Sequence, residues 1–248
     1  MQGDRFQRLR PRLFPSAILV AALIASAAGL LYWHSYDLDL VIAGGLIVDG
    51  TGAAPFHADI AIRDGKIAGI SRWLYWLAPA RSRLNAGGKV VAPGFIDVHT
   101  HIEANLPRSA AFKPANFLKQ GVTTLITGNC GRSRIDVAAM LDSLERHGTY
   151  INVATLIGHN SLRRQAMGLD ARAPTRGELR QMQQLVERGM NDGALGISTG
   201  LAYVPGRFAS VDELAALARI ATEQGGIYAS HVRNEASGGE EAICEALT

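Results

Sequence analysis

From Val90 onward the chain repeats one pattern: a short apolar, β-branched run followed by a stretch of helical periodicity. Strand starts fall near Gly94, Val122, Ile151, Ala194 and Gly226. Between them, residues 136–147 carry Val137, Leu141 and Leu144 on one stripe. Thr175-Arg-Gly-Glu178 reads as a capping box opening a helix with Leu179, Met182, Leu185 and Met190 inward. Ser210-Val-Asp-Glu213 reads as a second box, followed by Leu214, Leu217 and Ala221. Such alternation demands a parallel sheet covered by helices, in a barrel or a doubly wound arrangement. In both, chemistry gathers at the carboxyl ends of the strands. Five strands are expected where a closed barrel has eight, so the fold class reads as α/β, an incomplete TIM-type (β/α) barrel.

Two other regions precede this one. Residues 1–36 hold a basic arm (Arg5, Arg8, Arg10 and Arg12, less Asp4) and then an apolar run from Ser16 to Trp33. At roughly 18 residues the run reads either as a signal peptide ending at Ala25-Ser-Ala27 or as an uncleaved anchor ending in Tyr32-Trp33. Either reading keeps the arginines inside and exports the rest, to the periplasm or anchored at the inner membrane. The arm accounts for the whole formal net charge of +3, so the body carries no basic nucleic-acid-binding face. Residues 37–92 read as a small β domain with strands at 38–42, 46–48, 59–63 and 66–70. Asp64-Gly65 supplies a hairpin turn and Asp49-Gly-Thr-Gly52 another turn. The aromatic stretch Arg72-Trp-Leu-Tyr-Trp-Leu-Ala-Pro79 reads as a satellite hydrophobic cluster or a membrane-surface contact. Residues 93–248 form the barrel-like body.

The residues that carry chemistry lie at the strand ends. Val90-Val-Ala-Pro-Gly-Phe-Ile-Asp-Val-His-Thr-His101 reads as a short buried strand, and the period of two turns His99 and His101 to one side. Paired imidazoles at a strand exit suit a borderline metal such as zinc. Asp97 beneath them reads as an acceptor that orients an imidazole N–H. The second strand runs out at Thr127-Gly-Asn-Cys-Gly131, where a Cys130 thiolate would serve as a soft ligand; taken alone, it reads rather as a small buried hydrophobe. The fifth strand, Gly226-Ile-Tyr-Ala-Ser-His-Val-Arg233, ends in His231, with Arg233 on the same face. His159 closes the third strand and reads as a substrate or supporting hydrogen-bonding group, with a purely structural role as the alternative. Two cysteines in 248 residues exclude a disulfide framework. Gly196-Ile-Ser-Thr-Gly200 fits the serine-hydrolase elbow, but no helix begins immediately after the serine, as that elbow requires.

Taken together, these segments resemble the amidohydrolase superfamily and, within it, the N-acyl-D-amino-acid deacylases (D-aminoacylases). The matching stretches are Ala92-Pro-Gly-Phe-Ile-Asp-Val-His-Thr-His101, Gly121-Val-Thr-Thr-Leu-Ile-Thr-Gly-Asn-Cys-Gly131, Ile157-Gly-His-Asn160, Gly193-Ala-Leu-Gly-Ile-Ser-Thr-Gly-Leu201 and Tyr228-Ala-Ser-His-Val-Arg-Asn-Glu235. The resemblance implies a Zn2+ hydrolase of N-acyl-D-amino acids. It assigns Cys130 and His231 to a tighter zinc and His99 and His101 to a weaker or vestigial second position. It also implies that Tyr203 lines the substrate pocket, and Arg233 or Tyr203 is expected to anchor a carboxylate or oxyanion. The family's further histidine and its general-base aspartate belong to later strands, so no catalytic base is expected before Thr248. On that resemblance the chain is expected to be an N-terminal fragment of a longer protein or a truncated product.

Two alternatives stand beside this reading. A cyclic-amide hydrolase similar to dihydroorotase or hydantoinase normally uses a lysine on the third strand, and residues 151–158 contain none. The other is a catalytically inactive, membrane-tethered binding protein, since unpaired barrel edges invite partner pairing.

Overall fold

The computed structural model describes residues 15–35, 38–73, 75, 78–103, 106 and 110–247, without the side chains of 15–18 and 31–35. The basic arm, Tyr32-Trp33 and Leu74, Trp76 and Leu77 of the aromatic stretch therefore lie outside the described residues or side chains. The chain divides into two compact units, residues 1–93 and 94–248.

In the first unit, α1 (Pro15–Ser35) precedes five strands: β1 (Leu38–Ile47), β2 (Phe56–Arg63), β3 (Lys66–Ser71), β4 (Ala80–Asn85) and β5 (Val90–Val91). Leu19, Val20, Leu23, Ile24 and Leu30 of α1 are exposed. Among the described residues, no helix is long and apolar enough to cross a membrane. The sheet order is β3-β2-β1-β4, with β5 also on β1. The two strands expected at 38–42 and 46–48 are one strand, β1, whose register shifts between Ile42 and Gly45. Gly44 takes a positive φ at that bulge and donates its N–H to Asp59 Oδ1 at 2.8 Å. Asp64 and Gly65 both adopt positive φ, as a type I′ hairpin requires. Strand β4 escapes the sequence reading because Ala-Arg-Ser-Arg-Leu-Asn is an exposed edge without apolar alternation.

The second unit contains β6 (Phe95–Asp97), α2 (Ala115–Leu118), β7 (Val122–Thr127), α3 (Val137–His147), β8 (Asn152–Thr155), β9 (Ile157–Gly158), α4 (His159–Met167), α5 (Arg176–Asn191), β10 (Gly196–Gly200), α6 (Val211–Glu223), β11 (Ile227–His231) and α7 (Gly239–Leu247). All strand pairs are parallel, in the orders β6-β7-β8 and β9-β10-β11. The third expected strand is broken at Leu156. Thr155 still pairs with Thr127 of β7, whereas Ile157 pairs with Ile197 of β10. The strands thus follow one another in chain order across two sheets, and no closed barrel is seen among the described residues.

Burial explains why the helices lie where they do. Val137, Ile157, Leu162, Met182, Val186, Ile197, Leu217 and Ala221 form one core between β9–β10 and the helices. Truncating a fully buried member such as Leu217 to alanine costs about 2–5 kcal/mol. A second core joins Phe112, Leu125, Met140, Leu144 and Ile151 around β7 and β8. On α3, Met140 rather than Leu141 is the fully buried middle residue. The capping box of α5 is complete: Thr175 and Glu178 each accept the other's backbone N–H. That of α6 is half made. Ser210 accepts the Glu213 N–H at 3.3 Å, but the Glu213 carboxylate turns into the interior.

One expectation fails here. The strand at residues 95–97 is not buried: Phe95, Ile96 and Val98 are 61–63% exposed. Among the described residues strand β6 pairs only with β7, and the single-turn α2 that follows is too short to cover it.

Candidate metal centre

Three strand ends deliver the ligand-type side chains. His99 and His101 follow β6, two residues apart where the chain bends after the strand, and their rings meet edge to face with centroids 5.3 Å apart. Cys130 sits in the turn after β7 and His231 is the last residue of β11. Cys130 Sγ lies 3.3 Å from His99 Nε2 and 3.5 Å from His231 Nδ1. One donor atom from each of His99, His101 and Cys130 falls within a single 4.8 Å group. His231 stands outside that mutual group and reaches it through the sulfur.

The donor chemistry and spacing fit zinc. With Zn–S of about 2.3 Å and Zn–N of about 2.0 Å, tetrahedral sulfur and nitrogen ligands stand about 3.5 Å apart, which is the separation found on either side of Cys130. Burial raises the Cys130 thiol pKa, and the Glu235 and Glu103 charges raise it further. A bound cation reverses that balance and holds the sulfur as thiolate.

The turn carrying the sulfur is built for close approach. Cys130 itself takes a left-handed φ of 52°, between Gly128 and Gly131, also at positive φ. A side chain at Gly158 would overlap the Gly131 carbonyl, and one at Gly200 the Cys130 carbonyl. The turn therefore lies directly over the ends of β9 and β10. Asn129, buried, donates its amide to the Val98 and Ile126 carbonyls at 3.3 and 3.1 Å, tying the Cys130 turn to the strand that leads into His99. Thr100 adds its backbone N–H and its hydroxyl on the Ile126 carbonyl, at 3.0 and 2.9 Å. Glu103 Oε1 accepts from Thr127 Oγ1 and the Gly128 N–H, each at 2.5 Å.

Tyr203 and His231 also stack edge to face, with centroids 4.7 Å apart and Tyr203 Oη 3.5 Å from His231 Nδ1. Tyr203 is half exposed beside the cluster. Glu235 Oε1 lies 3.5 Å from His231 Nε2.

Three expected roles are redirected. Asp97 accepts the His99 backbone N–H at 3.2 Å, not an imidazole N–H, because the chain bends at His99 and brings its amide back to the carboxylate two residues earlier. Arg233 turns away from the cluster: it forks onto Glu245 at 2.6–3.2 Å and donates to the Arg207 and Ala209 carbonyls. The Glu245 hydrogen bonds lift its pKa above the ordinary arginine value against the opposing effect of burial. Its guanidinium thus clamps the segment after Tyr203 to α7. His159 is fully buried, with Nε2 2.8 Å from Glu213 Oε1, while Arg163 Nη1 reaches Glu213 Oε2 at 2.5 Å. Burial pushes the Glu213 carboxyl upward, but hydrogen bonds and charge from His159 and Arg163 outweigh it and leave the pKa below normal. Glu213 was hidden from sequence reading by its place in a capping motif, which predicts a carboxylate at the helix surface.

The chain belongs to the amidohydrolase family, whose sequence pattern matches residues 84–243. Among its relatives, an N-acyl-D-glutamate deacylase from Alcaligenes xylosoxydans xylosoxydans is 39% identical over 232 residues, 85% of this chain and 47% of that protein. The crystal structure of N-acyl-D-glutamate deacylase from Bordetella bronchiseptica, complexed with zinc and a phosphonate mimic of the reaction's tetrahedral intermediate, matches with a TM-score of 0.78. It is 41% identical and is aligned over 85% of this chain and 48% of its own. A D-aminoacylase structure with a binuclear metal centre matches at 33% identity and a TM-score of 0.77, over 84% and 48% of the two chains. The chain spans about half the length of the curated relatives it matches.

Proposed function

We propose that this chain carries the zinc-binding part of an amide hydrolase that removes the N-acyl group from N-acyl-D-amino acids. The observation that carries the proposal is the placement of Cys130 Sγ within 3.3–3.5 Å of imidazole nitrogens from two other strand ends. Deacylase relatives and a zinc-bound deacylase structure of the same fold support the substrate class. Cys130 and His231 would hold the tighter ion, and His99 and His101 would offer a second position.

Bound there, zinc supplies electrophilic polarisation of an amide carbonyl and lowers the pKa of water. The chain's own residues bind and orient. Tyr203, half exposed with its hydroxyl at the cluster, donates to the acyl oxygen of the substrate as charge grows on it. Arg233 fixes the backbone after Tyr203 instead of meeting the substrate. His159 supports the scaffold from within. No general base is assigned among these residues. The apolar run at 16–33, behind four arginines, supports export of the body, with α1 as leader or anchor.

A panel of N-acyl-D- and N-acyl-L-amino acids, tried with the zinc-loaded full-length polypeptide, tests this reading. Hydrolysis confined to the D series, and lost in Cys130→Ala, is the expected result. Equal turnover of both series overturns the substrate class, and undiminished activity in Cys130→Ala overturns the metal assignment.

A further inference from the structure

The motif Gly196-Ile-Ser-Thr-Gly200 fits the serine-hydrolase pattern without the helix that pattern needs, yet its serine is among the most buried polar residues of the chain, at 1% exposure. Its hydroxyl makes two hydrogen bonds, both to the turn that carries Cys130. Ser198 Oγ accepts the Gly131 N–H at 3.0 Å and donates to the Gly128 carbonyl at 2.5 Å. One hydroxyl on β10 thus clasps the turn on both sides of the cysteine.

The rest of the motif serves the same contact. A side chain at Gly196 would overlap the backbone of Ile227, and one at Gly200 would overlap the Cys130 carbonyl. The two glycines let β11 and the cysteine turn close onto β10. Thr199 points to the opposite side, where its hydroxyl meets Tyr228 Oη at 3.0 Å and Ser230 Oγ at 2.8 Å. Ser198 and Thr199 are equally buried neighbours, but only Ser198 touches the turn.

A turn with Cys130 in the left-handed region has a competing, relaxed conformation, because a non-glycine residue there is disfavoured by its Cβ. Removing the clasp leaves the Glu103 and Asn129 bonds in place but takes away the one side chain that holds both Gly128 and Gly131, which tolerate other dihedrals, so the sulfur shifts from its place between His99 and His231. We infer that Ser198 is a positioning residue for the metal-site thiolate: by holding the backbone on both sides of Cys130, it sets the sulfur at ligand distance. This rests on the proposal that Cys130 binds the metal.

Cobalt(II) tests it without recourse to turnover, since a cysteine thiolate bound to that ion gives a sulfur-to-metal charge-transfer absorption. The metal alone is titrated into the apo full-length polypeptide and its Ser198→Ala, Thr199→Val and Cys130→Ala variants, with circular dichroism as the check on folding. The parent shows the band and Cys130→Ala loses it. Ser198→Ala keeps the parent's dichroism but binds cobalt about 10–100-fold more weakly, with a diminished or displaced band. Thr199→Val retains the parent's band and affinity. Band and affinity in Ser198→Ala equal to the parent's, or lost to the same degree in Thr199→Val, overturn the inference while leaving the metal site standing. A parent without the band overturns the metal reading itself. Where Ser198→Ala does not fold, amide hydrogen exchange in the unsubstituted chain decides. Protection of the Gly131 N–H comparable to that of the β10 amides supports the clasp, and exchange as fast as in an unstructured chain defeats it.

Discussion

His159 and His231 each stand at the carboxyl end of a parallel strand, on either side of β10, yet they have opposite surroundings. His159 is sealed, with a buried carboxylate on one nitrogen and a buried arginine on that carboxylate's other oxygen. His231 is only partly covered and faces a thiol, a phenol and an exposed carboxylate, all at 3.5 Å. The contrast shows that position at a strand end is not enough to make a ligand. His159 Nδ1 is buried without a hydrogen-bond partner among the described residues, so what separates the two is that Nε2 of His159 is closed by a buried carboxylate, whereas the neighbours of His231 stand at distances an ion can close.

Breaking the sealed side gives the largest expected effect. Glu213→Gln leaves the fully buried Arg163 without its counter-charge and lowers unfolding free energy by about 3–5 kcal/mol. Urea titration measures it, and metal content at low denaturant is expected to stay at the parent's level. A loss of metal with little loss of stability would erase the distinction between the two histidines.

On the open side, Cys130→Ala is expected to weaken zinc binding by more than the roughly 100-fold upper range for supporting residues, with little effect on the urea midpoint in metal-free buffer. Competition with a chelator of known affinity reads this directly. Arg233→Gln comes next: it removes a charge-assisted fork onto Glu245 and costs about 1.5–3 kcal/mol. Because the same guanidinium holds the segment after Tyr203, limited proteolysis should cut near Arg207 sooner in this variant.

The acid limb of stability sharpens the comparison further. The Glu213 pKa is depressed in the folded state, so its contribution is complete above its ordinary value of 4.5 and disappears as pH falls through the lower folded value. Thermal melts stepped downward from pH 5 should show this loss in the parent and not in Glu213→Gln. Thr175→Ala, which removes an exposed capping box, is the smallest effect, about 1 kcal/mol by urea titration.

Much of this was readable before the coordinates. Periodicity located the starts of five of the six strands of the second unit to within two residues, because α3, α5 and α6 each have one apolar stripe and two of them open on Thr-x-x-Glu or Ser-x-x-Glu. The break at Leu156 was not readable: a strand that pairs left with β7 and then right with β10 keeps the same apolar pattern throughout. Nor was the exposure of Phe95, Ile96 and Val98, since composition reports what a strand prefers to bury and not whether a neighbour arrives. At the candidate site, the period of two placed His99 beside His101, and the strand-end rule brought Cys130 near both. The direction of Arg233 was beyond reach, because its partner Glu245 lies twelve positions away on a different element. Ser198 was visible only as a misleading motif.

The left-handed backbone at Cys130 limits what can replace it. Among side chains able to grip an ion, aspartate and histidine enter that region most readily, whereas bulky or β-branched residues resist it. Exchange for aspartate would therefore preserve the loop's shape while substituting a hard oxygen for soft sulfur. The backbone angle at one residue leaves open a route by which this scaffold could trade zinc for manganese or magnesium.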